Sequence, residues 1–198
     1  MLILLVVFLC AYLMASISPA IIVCKAKTGK DIRELGSGNA GTTNALRVLG
    51  KKLGVLVFLL DVLKVVIAYG VVYFIAKISN YSNIELINSV FIFSAVLGHC
   101  YPIYYGFKGG KGVAVILTCA MIINYKLTLI ALVFAIIMIL ITRMVSVGSV
   151  TGLILFNVLI FIKDPAYIIP VVLTSTIVIF KHRKNIQRIF QNKENKLF

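Results

Sequence analysis

The stretch GSGNAGTTNALR, residues 36–47, combines glycines, hydroxyls and side-chain amides and ends on an arginine. Glycines let backbone N–H groups approach an oxyanion without interference from a Cβ, and hydroxyls and amides add further donors. Arg47 supplies a planar, permanently charged guanidinium that suits phosphate. A helix that begins at Asn44 would direct its positive end at the same anion. The stretch therefore predicts a phosphate-binding loop with these candidate ligands: Ser37, Gly38, Asn39, Gly41, Thr42, Thr43, Asn44 and Arg47.

The same stretch contains G-x-G-x-x-G at Gly36, Gly38 and Gly41, a spacing found in dinucleotide-binding loops. Such a loop requires a buried strand before it and an acidic residue about 20 positions after it. Asp61 has that spacing from Gly41, but it lies in an apolar run long enough to span a bilayer. The preceding KTGKDIREL is too charged for a buried parallel strand. A dinucleotide site is therefore disfavoured, and a flexible linker stays open as the alternative to a phosphate-binding loop.

A second glycine-rich stretch, FKGGKGVAV, brackets a glycine pair with two lysines. It does not match the Walker A loop, because Gly112 follows the second lysine where that motif needs Ser or Thr. The alternative to an anion site is a basic interfacial turn that binds acidic lipids. For His99, which precedes this stretch, the alternative is a purely structural role. The candidate anion ligands here are His99, Lys108, Gly109, Gly110 and Lys111.

The C-terminal stretch HRKNIQR places His182 and Asn185 one turn apart if it is helical. Arg188 adds a cationic side chain to the same segment, and Ser146 adds a hydroxyl at the start of an apolar run. These residue types suit contacts with an anion. The alternatives are an amphipathic basic tail held by anionic lipids and, for Ser146, a helix cap.

The composition decides which class of protein carries these stretches. Hydrophobic residues make up 61% of the 198 residues and the mean hydropathy is +1.07, which is typical of a membrane protein. The chain has 20 Lys and Arg against 6 Asp and Glu, which indicates anionic partners such as phosphates or acidic lipids. Nucleic acid is disfavoured, because the basic residues occupy short loops between apolar runs. The four cysteines form no C-x-x-C pair and have no spaced histidines, so no metal site is predicted.

Seven apolar runs divide the chain, and the first lacks the preceding positive charge of a cleaved signal peptide. A helix needs about 20 residues to cross ~30 Å of hydrocarbon, so several runs are short and five spans is the conservative count. The sequence nevertheless predicts an all-α polytopic membrane protein with about seven transmembrane helices, some of them short. The runs are 2–24, 53–76, 84–98, 112–125, 127–142, 145–162 and 167–180.

The positive charges favour seven spans, with the N-terminus outside and the C-terminus in the cytoplasm. The outer loops then carry only Lys77, Lys126 and Lys163. This asymmetry follows the positive-inside rule and places the candidate segments on one membrane face. The inner segments carry 7, 2, 1 and 6 Lys and Arg, in the order 25–52, 99–111, 143–144 and the tail from residue 181.

Two ionisable residues lie within the second apolar run. Asp61 and Lys64 are three positions apart, which is one helical turn. Charged side chains at membrane depth are costly and pair or line a polar cavity, so we expect these two to interact.

Together these stretches resemble the bacterial acylphosphate:glycerol-3-phosphate acyltransferase family, and the likeness covers nearly the whole chain. DIRELGSGNAGTTNALR resembles the first motif of that family, and GHCYPIYYGFKGGKGVA resembles the second. TRMVSVGS is similar to its serine corner, and HRKNIQR followed by Glu194 is similar to its third motif. The departures from the family pattern remove no candidate ligand. They are Ala40 for Pro, Thr42 for Ala, Val65 for Gly, Val115 for Thr and Asn192 for Gly.

The resemblance implies a single integral membrane domain over residues 1–198, located in the bacterial inner membrane with its site on the cytoplasmic face. It implies transfer of the acyl group of a fatty acyl phosphate to the 1-hydroxyl of glycerol 3-phosphate. The products would be lysophosphatidic acid and inorganic phosphate, and no cofactor or metal is implied. Ser37, His182 and Asn185 would position the substrates and stabilise charge, while the other candidates would bind the two phosphates.

The sequence offers no dedicated general base. Other glycerolipid acyltransferases carry H-x-x-x-x-D, but here Tyr104 and Gln187 stand five residues after His99 and His182. An acyl phosphate is already activated, and its leaving phosphate can accept the hydroxyl proton, so positioning and charge stabilisation suffice. The alternative function is a membrane transporter or binding protein for phosphate-bearing solutes or anionic lipids.

Overall fold

The computed structural model describes residues 1–196, and every regular element in that range is helical, which confirms the all-α prediction. Short loops join the α-helices, and three of these loops contain one-turn 3-10 helices, at Ile32–Glu34, Ile103–Tyr105 and Pro165–Tyr167. The α-helices are α1 (Leu2–Ala15), α2 (Pro19–Thr28), α3 (Thr42–Ile78), α4 (Ile84–Cys100), α5 (Val113–Thr142), α6 (Val145–Lys163), α7 (Ile168–Lys181) and α8 (Arg183–Phe190).

The apolar helices of the N-terminal half are broken at defined residues. α1 and α2 belong to one apolar segment that is interrupted just before Pro19, the first residue of α2. Proline is tolerated there because the first N–H of a helix has no intrahelical partner. α3 is interrupted at Gly50, whose φ of +83° lies in the left-handed region that favours glycine. This break separates the first turns of α3, which carry Asn44 and Arg47, from its long apolar part.

Residues Met1–Thr118 form one compact unit in which α1 packs against α3 and α4. Gly98 of α4 faces α1 so closely that a Cβ would overlap the carbonyl oxygen of Tyr12. Small residues that permit such close approach are typical of helix packing in membranes. A small core that includes Ile32, Ala40 and Ala45 lies under the loop between α2 and α3 and fixes that loop on the helices.

Residues Cys119–Phe198 form the second compact unit, of which 119–196 are described. Its helices are the later part of α5 together with α6, α7 and α8. Asn124 interrupts α5 with non-helical dihedrals, and its Oδ1 accepts the backbone N–H of Leu127 at 3.2 Å. This bond is that of a helix N-cap, so a new helical segment begins at Asn124. α6 packs against this segment through Gly148 and Gly152, which lie against Ala135.

The predicted number of spans is not confirmed. Within residues 1–196, five helices are long and apolar enough to cross a bilayer, and the bent pair of α7 and α8 adds at most a sixth. The two runs 112–125 and 127–142 both lie in α5, where the non-helical residue Asn124 separates two helical segments. The parts before and after Asn124 are about 16 and 27 Å long, so neither reaches a perpendicular crossing of about 30 Å. Seven spans are therefore not confirmed, and the single domain and the orientation of the termini stay predictions.

Candidate functional site

The loop between α2 and α3 is organised around Asn44, whose side chain is 1% exposed. Its amide nitrogen donates to the carbonyl oxygens of Ile32 (3.3 Å) and Leu35 (3.0 Å), and its Oδ1 accepts the backbone N–H of Ser37 (2.8 Å). These bonds satisfy backbone groups that an irregular loop leaves without regular partners. Asn44 therefore holds the loop in place, and its predicted contact with a phosphate stays a prediction.

The glycines of this loop serve its turn geometry. Gly36 and Gly38 have φ values of +59° and +71°, and a Cβ on Gly36 would overlap Oδ1 of Asn44. The backbone N–H groups of Gly38 and Gly41 donate to the carbonyl oxygens of Leu35 and Asn39, both at 3.0 Å. Because these donors are already engaged, the glycines shape the loop, and the anion contacts predicted for their N–H groups stay untested.

Four of the predicted side-chain ligands of this segment remain accessible, whereas Asn44 and the hydroxyl of Thr42 are buried. Ser37 is exposed, and Asn39 and Thr43 are half-buried. Arg47 is exposed on the first turns of α3, and its guanidinium makes no hydrogen bond or ion pair with any described residue. A permanently charged donor fork without an internal partner is available to an external anion.

Arg33 ties this loop to the turn that follows α4. It forms an ion pair with Asp31 at 2.8 Å, while its Nη1 donates to the carbonyl oxygens of Tyr105 (2.7 Å) and Lys108 (3.3 Å). The hydrogen bonds from Arg33 hold the pKa of Asp31 below its usual value, so the carboxylate stays ionised and keeps the guanidinium oriented. Sequence reasoning did not select Arg33, although a fork-shaped donor in a glycine-rich motif was a usable signal.

The turn after α4 packs its glycine pair against His99. A Cβ on Gly109 would overlap the His99 carbonyl oxygen, and a Cβ on Gly110 would overlap His99 Nε2 and lie 2.7 Å from the Ala40 carbonyl oxygen. Lys108 is exposed and Lys111 is half-buried. The structure therefore brings two of the predicted stretches, the loop 36–47 and the turn 107–112, together within the first unit.

A buried polar network lies behind this turn. Lys64 Nζ is 2.8 Å from Asp61 Oδ1, so the two side chains form an ion pair. Their geometry is not that of a hydrogen bond. The same nitrogen donates to the Ile17 carbonyl oxygen at 2.7 Å and lies 3.0 Å from Nδ1 of His99. The predicted pairing of Asp61 with Lys64 is therefore present in the structure. Ile17 lies at the break between α1 and α2, where the chain leaves a carbonyl group without a helical partner.

In the second unit, three predicted ligands converge on one carboxylate. Oε1 of Glu194 accepts the hydroxyl of Ser146 (2.8 Å) and the amide of Asn185, and Oε2 accepts Nε of Arg188 (2.8 Å). Burial alone would raise the pKa of Glu194, but the hydrogen bonds from Asn185, Arg188 and Ser146 outweigh it and hold the pKa below its usual value. Ser146, Asn185 and Arg188 thus form a donor cluster around the Glu194 carboxylate, and their predicted contacts with a substrate anion stay predictions. The convergence of all four predicted segments stays a prediction.

His182 lies at the bend between α7 and α8, which meet at 56°. Its ring is buried, and Nδ1 is 2.8 Å from the carbonyl oxygen of Val178. Because a carbonyl oxygen can only accept, Nδ1 carries the proton and the ring orientation is fixed. Among the described residues, no three His, Cys, Asp or Glu side chains are grouped as metal ligands would be.

Replacing Glu194 by glutamine should destabilise the protein by about 2 kcal/mol at pH 7, because a buried carboxylate loses charge-assisted hydrogen bonds. The folded-state pKa is lowered, so this stabilisation exists above the ordinary value of 4.5 and is lost as pH falls below it. Thermal unfolding of both forms at pH 7 and near pH 4 measures the difference. The exposed Glu34→Gln is the control and should change stability by less than about 0.5 kcal/mol. A Glu194→Gln effect that does not shrink on acidification would contradict this role.

Replacing Thr42 by valine should stabilise the protein by about 1 kcal/mol, because its buried hydroxyl has no hydrogen-bond partner. Valine keeps the branched shape and removes only the unsatisfied oxygen. Thr43→Val, at a half-buried residue whose hydroxyl is not among the buried unpaired atoms, is the matched control and should leave the unfolding free energy nearly unchanged. A Thr42→Val variant less stable than wild type would show that the hydroxyl does find a partner.

Comparison with known proteins adds independent information. The family model described as glycerol-3-phosphate acyltransferase matches residues 5–192. The glycerol-3-phosphate acyltransferase of Clostridioides difficile (strain 630) is 40% identical over 188 residues, which is 94% of this chain and 92% of that protein. That of Shewanella sediminis (strain HAW-EB3) is 36% identical over 189 residues, 96% and 92% of the two chains. The crystal structure of PlsY (YgiH), an integral membrane glycerol 3-phosphate acyltransferase, in its glycerol 3-phosphate form has a TM-score of 0.86 at 35% identity, covering 98% of this chain and 94% of that one.

Proposed function

Because the chain belongs to the glycerol-3-phosphate acyltransferase family, we propose that it transfers an acyl group from a fatty acyl phosphate to the 1-hydroxyl of glycerol 3-phosphate. The products are 1-acyl-glycerol 3-phosphate and inorganic phosphate. The similar PlsY structures, described as glycerol 3-phosphate and lysophosphatidic acid forms, support this substrate and this product. The acyl phosphate donor is the more specific part of the proposal and rests on the motifs.

The contact that supports the proposal most directly is the guanidinium of Arg33, which bonds to the turn carrying Lys108. It joins two glycine-rich segments that each present an exposed cation, Arg47 and Lys108, with the Ser37 hydroxyl exposed on the same loop as Arg33. Cations and hydroxyls on loops held by internal hydrogen bonds are suited to binding phosphate in a fixed position. The first unit therefore supplies phosphate ligands for this reaction.

The second unit contributes its own set of donors. Glu194 uses one hydrogen of the Asn185 amide and Nε of Arg188. The terminal nitrogens of Arg188 provide further donor capacity. We assign Asn185 and His182 to positioning and charge stabilisation, and Arg188, oriented by Glu194, to binding an anion. Ser146 donates its single hydroxyl hydrogen to Glu194, so we assign it to holding that carboxylate in place.

The reaction needs no separate base. The 1-hydroxyl oxygen of glycerol 3-phosphate attacks the acyl carbon, and the bond between that carbon and the phosphate oxygen breaks. The leaving phosphate takes the bonding electron pair and accepts the hydroxyl proton. The residues of the protein hold the two reactants in place and stabilise the charge that develops on the acyl oxygen and on the phosphate.

The deciding experiment supplies the purified full-length protein with palmitoyl phosphate and labelled glycerol 3-phosphate. We expect lysophosphatidic acid and inorganic phosphate in equal amounts, and no product when palmitoyl-coenzyme A replaces the acyl phosphate. Product formed only from the coenzyme A ester would reject the proposed donor. Transport of labelled glycerol 3-phosphate into liposomes without any acylated product would reject the enzyme in favour of a transporter.

We further propose that the protein lies in the bacterial inner membrane with the loop between α2 and α3 in the cytoplasm. Lys30 lies in that loop, whereas Ser82 lies in the turn between α3 and α4, and both are exposed. In a variant without its four native cysteines, a membrane-impermeant maleimide should label Ser82→Cys in intact spheroplasts and label Lys30→Cys only after lysis. The opposite labelling pattern would reverse the topology.

A further inference from the structure

The ammonium group of Lys64 is surrounded by three acceptors within 3.0 Å. They are the Ile17 carbonyl oxygen at 2.7 Å, Asp61 Oδ1 at 2.8 Å and His99 Nδ1 at 3.0 Å. An ammonium has N–H donors and no acceptor, so it donates to the Ile17 carbonyl oxygen and to His99 Nδ1, while Asp61 balances its charge as an ion pair. All the side chains of this network are buried, and Asp61 is only 1% exposed.

The contact with Lys64 determines where His99 carries its proton. An ammonium donor next to Nδ1 requires a lone pair on Nδ1, so in the neutral ring the proton lies on Nε2. The competing arrangement would place a proton on Nδ1 and direct it at Asp61. That oxygen is 3.5 Å from Nδ1, beyond the usual N–H···O range, whereas Lys64 is at 3.0 Å. The geometry therefore favours the Nε2–H tautomer.

His99 Nε2 lies at the glycine turn, because it is the atom that a Cβ on Gly110 would overlap. The histidine carbonyl oxygen lies against Gly109 in the same way. Contacts with other segments therefore set the ring orientation and the tautomer of His99. One set comes from α3 and from the break between α1 and α2, and the other comes from the turn that carries Lys108.

We propose that Lys64, held by Asp61 and by the Ile17 carbonyl group, is a positioning residue that fixes His99 as the Nε2–H tautomer facing the glycine turn. His99 then acts as a hydrogen-bond donor at the phosphate-binding turn and not as the proton acceptor of the reaction. The assignment of the donor to a substrate rests on the proposed function, whereas the tautomer depends on the fold alone.

The tautomer can be read directly by nitrogen-15 NMR of histidine-labelled protein, because the chain has only two histidines. We expect one ring with a protonated Nε2, which is His99, and one with a protonated Nδ1, which is His182. The His182→Gln variant assigns the remaining signal to His99. A protonated Nδ1 on His99 in the substrate-free protein would overturn the proposal, whether or not any acyltransferase activity is detected.

The Lys64→Met variant tests the positioning role. Without the ammonium, Nδ1 of His99 can donate to Asp61, so we expect the signal to change to the Nδ1–H tautomer and the activity to fall roughly 10- to 100-fold. Lys64→Arg keeps a donor-only cation and should retain the Nε2–H signal. Lys77→Met, which removes an exposed lysine at the other end of α3, is the control for loss of charge and should leave tautomer and activity unchanged. Retention of the Nε2–H signal in folded Lys64→Met would overturn the positioning role.

Variants of His99 itself separate a donor from a base and keep the proposal testable if Lys64→Met does not fold. Glutamine can present an N–H donor near the Nε2 position but cannot act as a general base at neutral pH. We expect His99→Gln to retain activity within about tenfold of wild type and His99→Leu to lose roughly 10- to 100-fold. Equal losses of about 100-fold or more in both variants would indicate a general base and overturn the donor role.

If the wild-type protein forms no lysophosphatidic acid from acyl phosphate, the proposed function fails. The NMR measurement would still decide the tautomer of His99, so the two failures are distinguishable.

Discussion

Replacing Gly110 by alanine should lower kcat/KM by about 100-fold while the protein keeps its helical structure. The added Cβ would overlap Nε2 of His99 and lie 2.7 Å from the carbonyl oxygen of Ala40. The second of these atoms belongs to the backbone of the loop between α2 and α3, so it cannot move without displacing that loop. A displacement of about 1 Å at a site that works by positioning is enough for a loss of this size. Steady-state kinetics with both substrates varied in turn measures it.

Gly70→Ala is the matched control for this prediction. A Cβ on Gly70 would meet no atom within 4 Å, and Gly70 is absent from the residues with positive φ. The same chemical change at Gly70 should therefore leave kcat/KM within about twofold of wild type and slightly favour the helix. Wild-type activity in Gly110→Ala would mean that the contact between the turn and the loop is not needed for function.

The local features of the candidate site could be predicted from the sequence. The glycine-rich loop at residues 36–41 is visible in the sequence, although the sequence predicted anion contacts there, whereas the structure shows Gly36 and Gly38 in the left-handed conformation of a turn. The ion pair of Asp61 and Lys64 follows from helical spacing and from the cost of unpaired charge in a membrane. In each case the partners are near in sequence, so a pattern of a few residues carries the information.

Contacts between distant segments could not be predicted in this way. Arg33 bonds to the Tyr105 carbonyl oxygen, 72 residues away, and Lys64 bonds to the Ile17 carbonyl oxygen, 47 residues away. A backbone acceptor carries no residue-type signal, so no motif search finds it. The sequence therefore predicted Asn44 as a polar residue of a phosphate-binding loop. Its hydrogen bonds to three backbone groups of that loop became known only from the fold.

The number of membrane spans also could not be decided from the sequence. Hydropathy places two runs on either side of Asn124, and charge counting treats them as separate crossings. The structure places both runs in α5, with a non-helical residue between them. Hydropathy measures only where apolar residues lie and does not distinguish a turn from a kink. Whether the chain reverses direction at Asn124 depends on one pair of dihedral angles that composition does not encode.

Replacing Arg47 by methionine should lower kcat/KM by roughly 100- to 1,000-fold, the largest effect that we expect at an exposed residue. Arg47 is exposed and makes no hydrogen bond or ion pair with the described part of the chain, so its loss removes no internal contact. The melting temperature should therefore stay close to that of wild type. A loss of activity without a loss of stability is the result expected for a residue whose partner is the substrate. Initial rates against each substrate then show which KM rises.

Two further variants separate a specific phosphate ligand from general attraction by positive charge. Arg47→Lys keeps the charge but loses the planar fork, so we expect an intermediate loss of about tenfold. Lys52→Met removes one exposed charge just beyond the break at Gly50 and should leave kcat/KM within about threefold of wild type, because an exposed charge is strongly screened by solvent and salt. Suppose that Arg47→Met and Lys52→Met lose kcat/KM equally, and that both differences from wild type disappear when the salt concentration is raised. Arg47 would then attract the substrate from a distance and would not bind it. Under the proposed function, the defect of Arg47→Met persists at every salt concentration, because the missing donors point at a bound phosphate.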